Sequence, residues 1–507
     1  MTGLKQNAAV LPDSAAGHRG WAPRLAQESR LSRLEDVLAR QPIGTDAIGT
    51  EIERAVLLGA LDRRQDAQQA FIDILRRAPT HFSALNEFGT LLTNMGAIDA
   101  ACRVYSEALL HHPDNPMARV NLANLLLRAN KHAEAREHYE AVLRIDPDCA
   151  EAHQGLGAVL SDIGDRTGAL RHFQKGFRGH AISSLPYRGT RPPVTVLQLV
   201  SSGGGNIPTA SLLDDCIFLT SVVVADYLDP SAALPQHQLI FNAIGDADLC
   251  APALQAAARL TARTTVPVIN DPRAVMKTGR IDNARRLGAV PGVVAPRTTA
   301  IARDILAGPD GVATLANHQF AFPLLLRSPG YHTGRNFIIV EQAAELSAAA
   351  AALPGDDLLV IEYLDARGTD GNARKYRAMM IGGRIYPLHL AISGKWKVHY
   401  FTSDMADKPD HRLEEARFLA DMPAALGDKA MAALKKKIQD VLGLDYGGID
   451  FGLGPNGDLL LFEANATMVI APVDPDERWA YRRTAISTII DAVAAMLMQK
   501  STPASQA

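Results

Sequence analysis

Cysteine is scarce and scattered in this chain: the four thiols, Cys102, Cys149, Cys216 and Cys250, form no C-x-x-C pair. Such spacing gives neither a disulfide framework nor a zinc-ligand set, and it suits a reducing compartment. Long apolar runs are missing as well, so no stretch reaches membrane-span length. The opening residues mix Lys5, Asp13, His18 and Arg19 with short apolar pieces and lack the apolar core of a secretory signal. Nor is there an excess of one charge. Fifty-two basic side chains meet 55 acidic ones, a formal net charge of -3, which gives no whole-molecule reason to expect nucleic acid or an anionic membrane as partner. A cytoplasmic protein is expected.

What is present is globular in character. Hydrophobic residues make up 47% and charged residues 21% of 507 positions, more chain than one core organises, so two to four domains are expected. Residues 1–47 read as a tail with one short helix at 31–39, and 499–507 as a second tail.

The next stretch repeats itself. Phe71, Tyr105, Tyr139 and Phe173 lie 34 residues apart, as do Ala67, Ala101, Ala135 and Ala169. Leu58, Leu92, Leu126 and Leu160 keep the same step, and Pro79, Pro113 and Pro147 close three units, with Ala181 in the fourth place. Small alanines suit the crossing of two helices, and an aromatic four residues on fills the groove on the same face. Gly96, Asn130 and Gly164 fall at the turn inside each pair, where a left-handed residue is often needed. No helix of a pair buries its apolar face alone, so the units must stack. Step and residue types resemble tetratricopeptide repeats, about four over residues 48–183. The resemblance implies a concave surface for a protein or peptide partner; a spacer or a contact with a second copy of this chain (a homodimer) is the plainer alternative. His111, His112, His132 and His138 offer no ligand set on one face.

A Pro- and Gly-containing segment, 184–193, reads as a linker. Strand candidates follow at 194–200, 221–228, 238–244 and 266–270, with a helix at 251–263, which describes a small open α/β layer over 194–270. The glycines Gly203, Gly204 and Gly205 lack the spacing of a phosphate loop and read better as a tight turn. Asn242 and Asp246 stand at a strand end, where ligand-facing residues gather, though Asp246 reads equally well as a helix cap.

The strongest chemical pattern comes late. Tyr446-Gly447-Gly448-Ile449-Asp450-Phe451-Gly452 reads as a strand, 455–457 as a turn and 458–464 as the returning strand. Glu463 and Asn465 then share a face, and Asp450 can meet them from the partner strand. Two carboxylates and an amide oxygen make a hard-oxygen set suited to Mg²⁺, or Mn²⁺ in its place. Buried without a cation such acids would cost several kcal/mol. Cations precede them: Lys277 and Arg280 after the 267–272 segment, Arg327 at the end of a strand over 322–327 and before a Gly-containing loop, and Lys375 with Arg377 on one strand face. The run at 435–437 reads as a solvated helix face.

In this order the motifs at 265–498 resemble the ATP-grasp superfamily, nearest to its glutathione synthetase and D-alanine ligase branch, with 194–270 similar to the small preceding domain. The expected architecture is therefore an all-α repeat solenoid, an α/β pre-ATP-grasp domain and an α+β ATP-grasp domain at 271–498. The resemblance implies ATP between two lobes, metal roles for Asp450, Glu463 and Asn465, and phosphate contacts at Lys277 and Arg327. It implies an adenine-side hinge at Glu362, Tyr363 and Leu364, and a γ-phosphate or acyl-phosphate contact at Arg377, with Lys375 beside it. The family usually has lysine where Arg327 stands; arginine keeps the charge and adds a bidentate fork. His389, Trp396 and His399 read as a substrate wall or as core packing. The loop at 332–335 is the expected lid. The implied reaction joins a small carboxylate, such as an amino acid or peptide, to an amine or thiol through an acyl phosphate. An adaptor with a degenerate nucleotide fold and an ATP-grasp phosphotransferase stay open as alternatives.

Overall fold

The computed structural model of the chain describes residues 24–40, 47–331 and 334–502. They fall into two compact units. One holds the described residues as far as Gly203 together with Leu213–Gln238; the other holds Gly204–Leu212 and the described residues from Leu239 onward.

Helices build most of the first unit: α1 (Arg24–Arg40), α2 (Ile48–Ala60), α3 (Arg64–Arg77), α4 (Phe82–Asn94), α5 (Ile98–His111), α6 (Pro116–Arg128), α7 (His132–Ile145), α8 (Ala150–Asp162) and α9 (Arg166–Phe177). From α2 onward they pair in the 34-residue rhythm. Phe71, Tyr105, Tyr139 and Phe173 are all buried, and so are the alanines four residues before them. The packing leaves no room at facing glycines: a Cβ at Gly155 would lie 2.1 Å from Cζ of Tyr139. Gly96, Asn130 and Gly164 have positive φ at the turns, and Asp62 takes the same conformation in the first pair.

Two boundaries differ from the sequence expectation. The supposed tail contains α1, 17 residues long instead of the short helix at 31–39, with Leu31 buried and Arg30 ion-paired to Glu53 of α2. An end helix of a solenoid needs such a cover for its outer apolar face. The supposed linker 184–193 is also packed. Tyr187 is buried and its hydroxyl donates to the Arg191 carbonyl, while Arg188 pairs with Asp215 at 2.8 Å.

The unit is completed by β1 (Ile182–Ser184), β2 (Val194–Val200) and β3 (Phe218–Val224), with β1 antiparallel and β2 parallel to β3. The rings of Phe177 in α9 and Tyr227 stack at 5.3 Å. The sequence reading placed one small domain over 194–270, whereas in the structure 194–203 and 213–238 group with the helices and 204–212 and 239–270 with the other unit. β3 also starts earlier than the expected 221.

The second unit begins with β4 (Leu239–Asn242), α10 (Ala251–Thr261) and β5 (Val268–Ile269), the two strands parallel. Then come β6 (Val293–Val294), β7 (Thr298–Ala302), β8 (Leu324–Arg327), β9 (Phe337–Val340), β10 (Asp357–Glu362), β11 (Ala373–Ile381), β12 (Arg384–Ser393), β13 (Tyr446–Leu453) and β14 (Leu459–Asn465). They form a four-stranded antiparallel sheet, β7-β10-β8-β9, and a five-stranded sheet, β12-β11-β13-β14-β6. Leu324, Leu326, Val340, Leu358 and Val360 anchor the core of the first; Tyr376, Leu390, Ile449, Phe451 and Phe418 lie in the core of the second. The lysines Lys435 and Lys437 are exposed, as a solvated face requires. Among the described residues no helix is long and apolar enough to cross a membrane.

Candidate functional site

A pair of asparagines sets the frame. Asn242, at the end of β4, donates from Nδ2 to the Asn270 carbonyl at 2.9 Å. Asn270 has φ 57°, a left-handed conformation asparagine tolerates, and is fully buried. Its Nδ2 donates to the Tyr446 carbonyl, and its Oδ1 accepts from the backbone of Asp445 and Tyr446. The start of β13 is thereby tied to the end of β5. Asp246 does not cap a helix: its Oδ1 accepts from the backbone N–H groups of Asp248 and Leu249, each at 2.9 Å, in the turn ahead of α10, whose N-cap is Cys250.

From that start, strand alternation carries β13 to Asp450, which is 2% exposed. Arg377 on β11 lies directly opposite and donates from Nη2 to Oδ2 at 2.8 Å, alongside a second bond from Nε to Oδ1. Lys375 Nζ stands 3.1 Å from Oδ2. Burial pushes the Asp450 carboxyl up, yet Arg377 and Lys375 outweigh it and hold it well below the ordinary carboxylate range.

Glu463 is the Cα partner of Asp450 in the β13–β14 ladder, beside a bulge that leaves Phe462 unpaired and 37% exposed. Arg280 reaches it, Nη2 to Oε1 at 2.7 Å, and holds Asp248 with Nη1 at 3.1 Å and with its backbone N–H. Burial works against the Arg280 charge, but Glu463, Asp248 and Asp246 together raise its pKa. The Asp248 carboxyl is raised by burial despite Arg280.

Arg327 closes the cluster from β8. Burial first, and the like charge of Arg280 next, push its pKa down to about 10, while Glu463, Asp246 and Asp248 oppose the shift. Its guanidinium carbon lies 5.4 Å from the centroid of Phe337, and its buried Nε lacks a hydrogen-bond partner among the described residues. Trp396 meets the same Phe337 ring edge-on at 5.5 Å, and Lys397 Nζ donates to the Phe337 carbonyl at 3.0 Å. These contacts join the two sheets beside Arg327. His332 and Thr333 of the expected lid lie outside the described residues.

The supposed substrate wall separates into different places. His389, opposite Arg377 in the register, is 7% exposed with its ring 4.7 Å from that of Tyr400. Burial, then Arg377, drives its pKa well below the ordinary histidine value. His399 is half-buried and shifted down by burial and Lys375. Behind them lies fully buried Glu415, which accepts from the Tyr400 hydroxyl at 3.0 Å and from Tyr481, with Arg482 3.4 Å away. Trp396 instead belongs with Phe337. No pattern of spacing marks Glu415.

Lys277 is exposed, and the basic side chain that enters the cluster from its segment is Arg280, a candidate cation to which the family resemblance gave no phosphate contact. Charge alone could not separate the two. Glu362 accepts from the Arg297 backbone N–H with Oε2 at 3.0 Å; Tyr363 and Leu364 are half-buried beside it.

As a magnesium set, Asp450 and Glu463 suit the ion, being hard carboxylates opposite each other on paired strands. Asn465 departs from expectation. Its Oδ1 accepts from the backbone N–H and the hydroxyl of Thr467, both at 2.9 Å, which leaves Nδ2 to donate to Glu463 at 3.0 Å. A backbone N–H can only donate, so the amide orientation is fixed and its oxygen points away from Glu463.

Residues 92–160 match the family model of the tetratricopeptide repeat. The N-terminal part of the chain contains tetratricopeptide repeats. The chain is 30% identical over 110 residues to Protein FlbA of Caulobacter vibrioides, 22% of this chain and 18% of that protein. It is 31% identical over 88 residues to the inactive TPR repeat-containing thioredoxin TTL3 of Arabidopsis thaliana, 17% of this chain and 13% of that one. The chain thus spans less than a fifth of the length of these two relatives. Among solved structures, MamA 41-end from Desulfovibrio magneticus RS-1 is similar at 21% identity and TM-score 0.27, covering 30% of this chain and 85% of that one.

Proposed function

We propose that the second unit is an ATP-grasp ligase that uses ATP and Mg²⁺ to join a small carboxylate to an amine or thiol, while the repeats recruit a protein partner or peptide substrate. The observation that carries this reading is the pairing of Arg280 with Glu463 and of Lys375 and Arg377 with Asp450 on one sheet, with Arg327 of the other sheet within reach of the Arg280 and Glu463 charges. Forked cations at the join of two sheets suit the phosphates of a nucleotide lying between lobes.

The chemistry asks for charge neutralisation and alignment, with no strong protein nucleophile. Arg327 and Arg280 would neutralise phosphate oxygens as the substrate carboxylate attacks the γ-phosphoryl group. Arg377 and Lys375, held by Asp450, would orient the acyl phosphate while the amine displaces phosphate. Bound to Asp450 and Glu463, Mg²⁺ would supply Lewis-acid stabilisation of the phosphates. Glu362, Tyr363 and Leu364 would line the base.

Full-length protein with ATP and Mg²⁺, supplied with amino-acid and peptide pools, should release phosphate and ADP only when a carboxylate is added. Asp450→Ala and Glu463→Ala should abolish that release; full turnover in either variant refutes the assignment. One observation favours the adaptor alternative: the Asn465 oxygen is engaged by Thr467. Partner capture through the repeats, with no nucleotide binding in the second unit, would support that alternative.

A further inference from the structure

A cavity lies on the other face of the five-stranded sheet. Gly382 and Gly383, with φ 54° and 81°, make the two-residue turn between β11 and β12, so β12 opens on Arg384 directly after it. Ile385 and Pro387 then pair with Met380 and Ala378 of β11. Ile385 packs on the core that holds those two residues, the face that strand alternation sets opposite Arg377. Across from β12 stand the junction of two helices, Pro409–Ala420 and Met422–Ala432, and the π-helical turn Ala433–Ile438. The space between measures about 450 Å³, in the range that holds a small organic molecule.

Its walls divide by chemistry. Ile385, Leu419, Met422 and Met431 supply the apolar part, and three donors, Arg384, Lys435 and Gln439, supply the polar part. Arg384 and Lys435 are exposed and form no ion pair among the described residues. Gln439 is half-buried, and its buried Nε2 has no hydrogen-bond partner among the described residues. A buried donor in that state costs free energy until an acceptor reaches it. The acid in the lining, Asp421, is partly committed: it caps the helix Met422–Ala432, accepting from the Ala424 backbone N–H at 3.0 Å. Two cations against one acid leave a single positive charge, the complement of a monoanion.

We infer that this cavity binds a small monocarboxylate with an apolar body. Its head lies on Arg384, Lys435 and Gln439, and its tail lies on Ile385, Leu419, Met422 and Met431. No residue of the Arg377–Asp450 cluster takes part, so the site stands whether or not the nucleotide reading does.

Calorimetric titration of the full-length protein tests the cavity, with octanoate as the probe. Octanoate should bind saturably at one site per chain. It should bind about tenfold tighter than octanol, which lacks the charge, and than acetate, which lacks the tail. Arg384→Gln and Lys435→Gln, both at exposed positions, should each weaken octanoate about threefold, the effect of one solvent-facing charge. Asp421→Asn keeps a capping side chain and removes the opposing charge, so it should tighten binding. Weaker binding in two variants with tighter binding in a third is a pattern that general loss of structure does not produce. Absence of saturable binding overturns the inference, and so does octanoate affinity equal to that of octanol and unmoved in all three variants. Self-association of the chain that Arg384→Gln abolishes also overturns it, since a second copy would then fill the cavity.

Discussion

Arg377 and Asp450 lie opposite each other on neighbouring antiparallel strands and meet through two parallel hydrogen bonds, with Lys375 closing on the same carboxylate at 3.1 Å. Removing the acid leaves two cations in a buried site. Asp450→Ala should cost about 3–5 kcal/mol of stability, the usual effect of breaking a buried pair. The pH dependence has a definite sign. Arg377 and Lys375 overcome burial and depress the folded pKa. The stabilisation is therefore complete above the unfolded value of about 3.9 and is lost as pH falls below it. Urea midpoints of wild type and variant should differ by a constant amount from about pH 5 to 8 and converge in stronger acid.

His389 gives an acid response in a different window. Its folded pKa is pushed down by burial and by Arg377, whereas the unfolded side chain takes up a proton near about 6.5. Its contribution is present above that value and fades as pH falls toward the folded pKa. His389→Gln should flatten the decline of stability between about pH 6.5 and 5, by up to about 1.4 kcal/mol per pH unit. Parallel urea-midpoint profiles for the two proteins would contradict this.

Two glycines in the repeats should respond oppositely to alanine. A Cβ at Gly155 would meet the Tyr139 ring at 2.1 Å, an overpacking that should cost about 1–3 kcal/mol. At Gly49, exposed in α2, a Cβ meets nothing within 4 Å among the described residues, and alanine should add about 0.5–1 kcal/mol through helix propensity. Thermal melts of the two variants should shift in opposite directions.

Glu415 binds two tyrosine hydroxyls and an arginine without exposure to solvent. Tyr400→Phe should cost about 1 kcal/mol, one hydrogen bond, whereas Glu415→Ala should cost about 3–5 kcal/mol by stranding Arg482. Equal losses in chemical denaturation would mean that Arg482 finds another partner.

The repeats were readable because each unit buries the same positions, so Ala67 and Phe71 recur with their burial at Ala101 and Tyr105. The hairpin of β13 and β14 was readable from alternation and a Gly457 turn. Domain limits were not. Whether 194–203 packs with the helices depends on contacts such as Phe177 with Tyr227, which lie far apart in the chain. The facing of Asp450 and Glu463 across the hairpin was legible, but the pairing of Arg377 with Asp450 on a neighbouring strand was not, nor that of Arg280 with Glu463, 183 residues away. Asn465 was misjudged in orientation because Thr467 competes for its oxygen two residues on.

Asn270 accepts from both N–H groups of Asp445 and Tyr446, and its own backbone N–H returns a bond to the Asp445 carboxylate. It serves as a gauge stop, fixing which residue enters the sheet first. Four positions on, alternation of period two delivers Asp450 to the face where Arg377 waits. One residue gained or lost between 446 and 450 would turn that carboxylate to the other side of the sheet, dissolving the charge cluster while every residue of it remained in the chain.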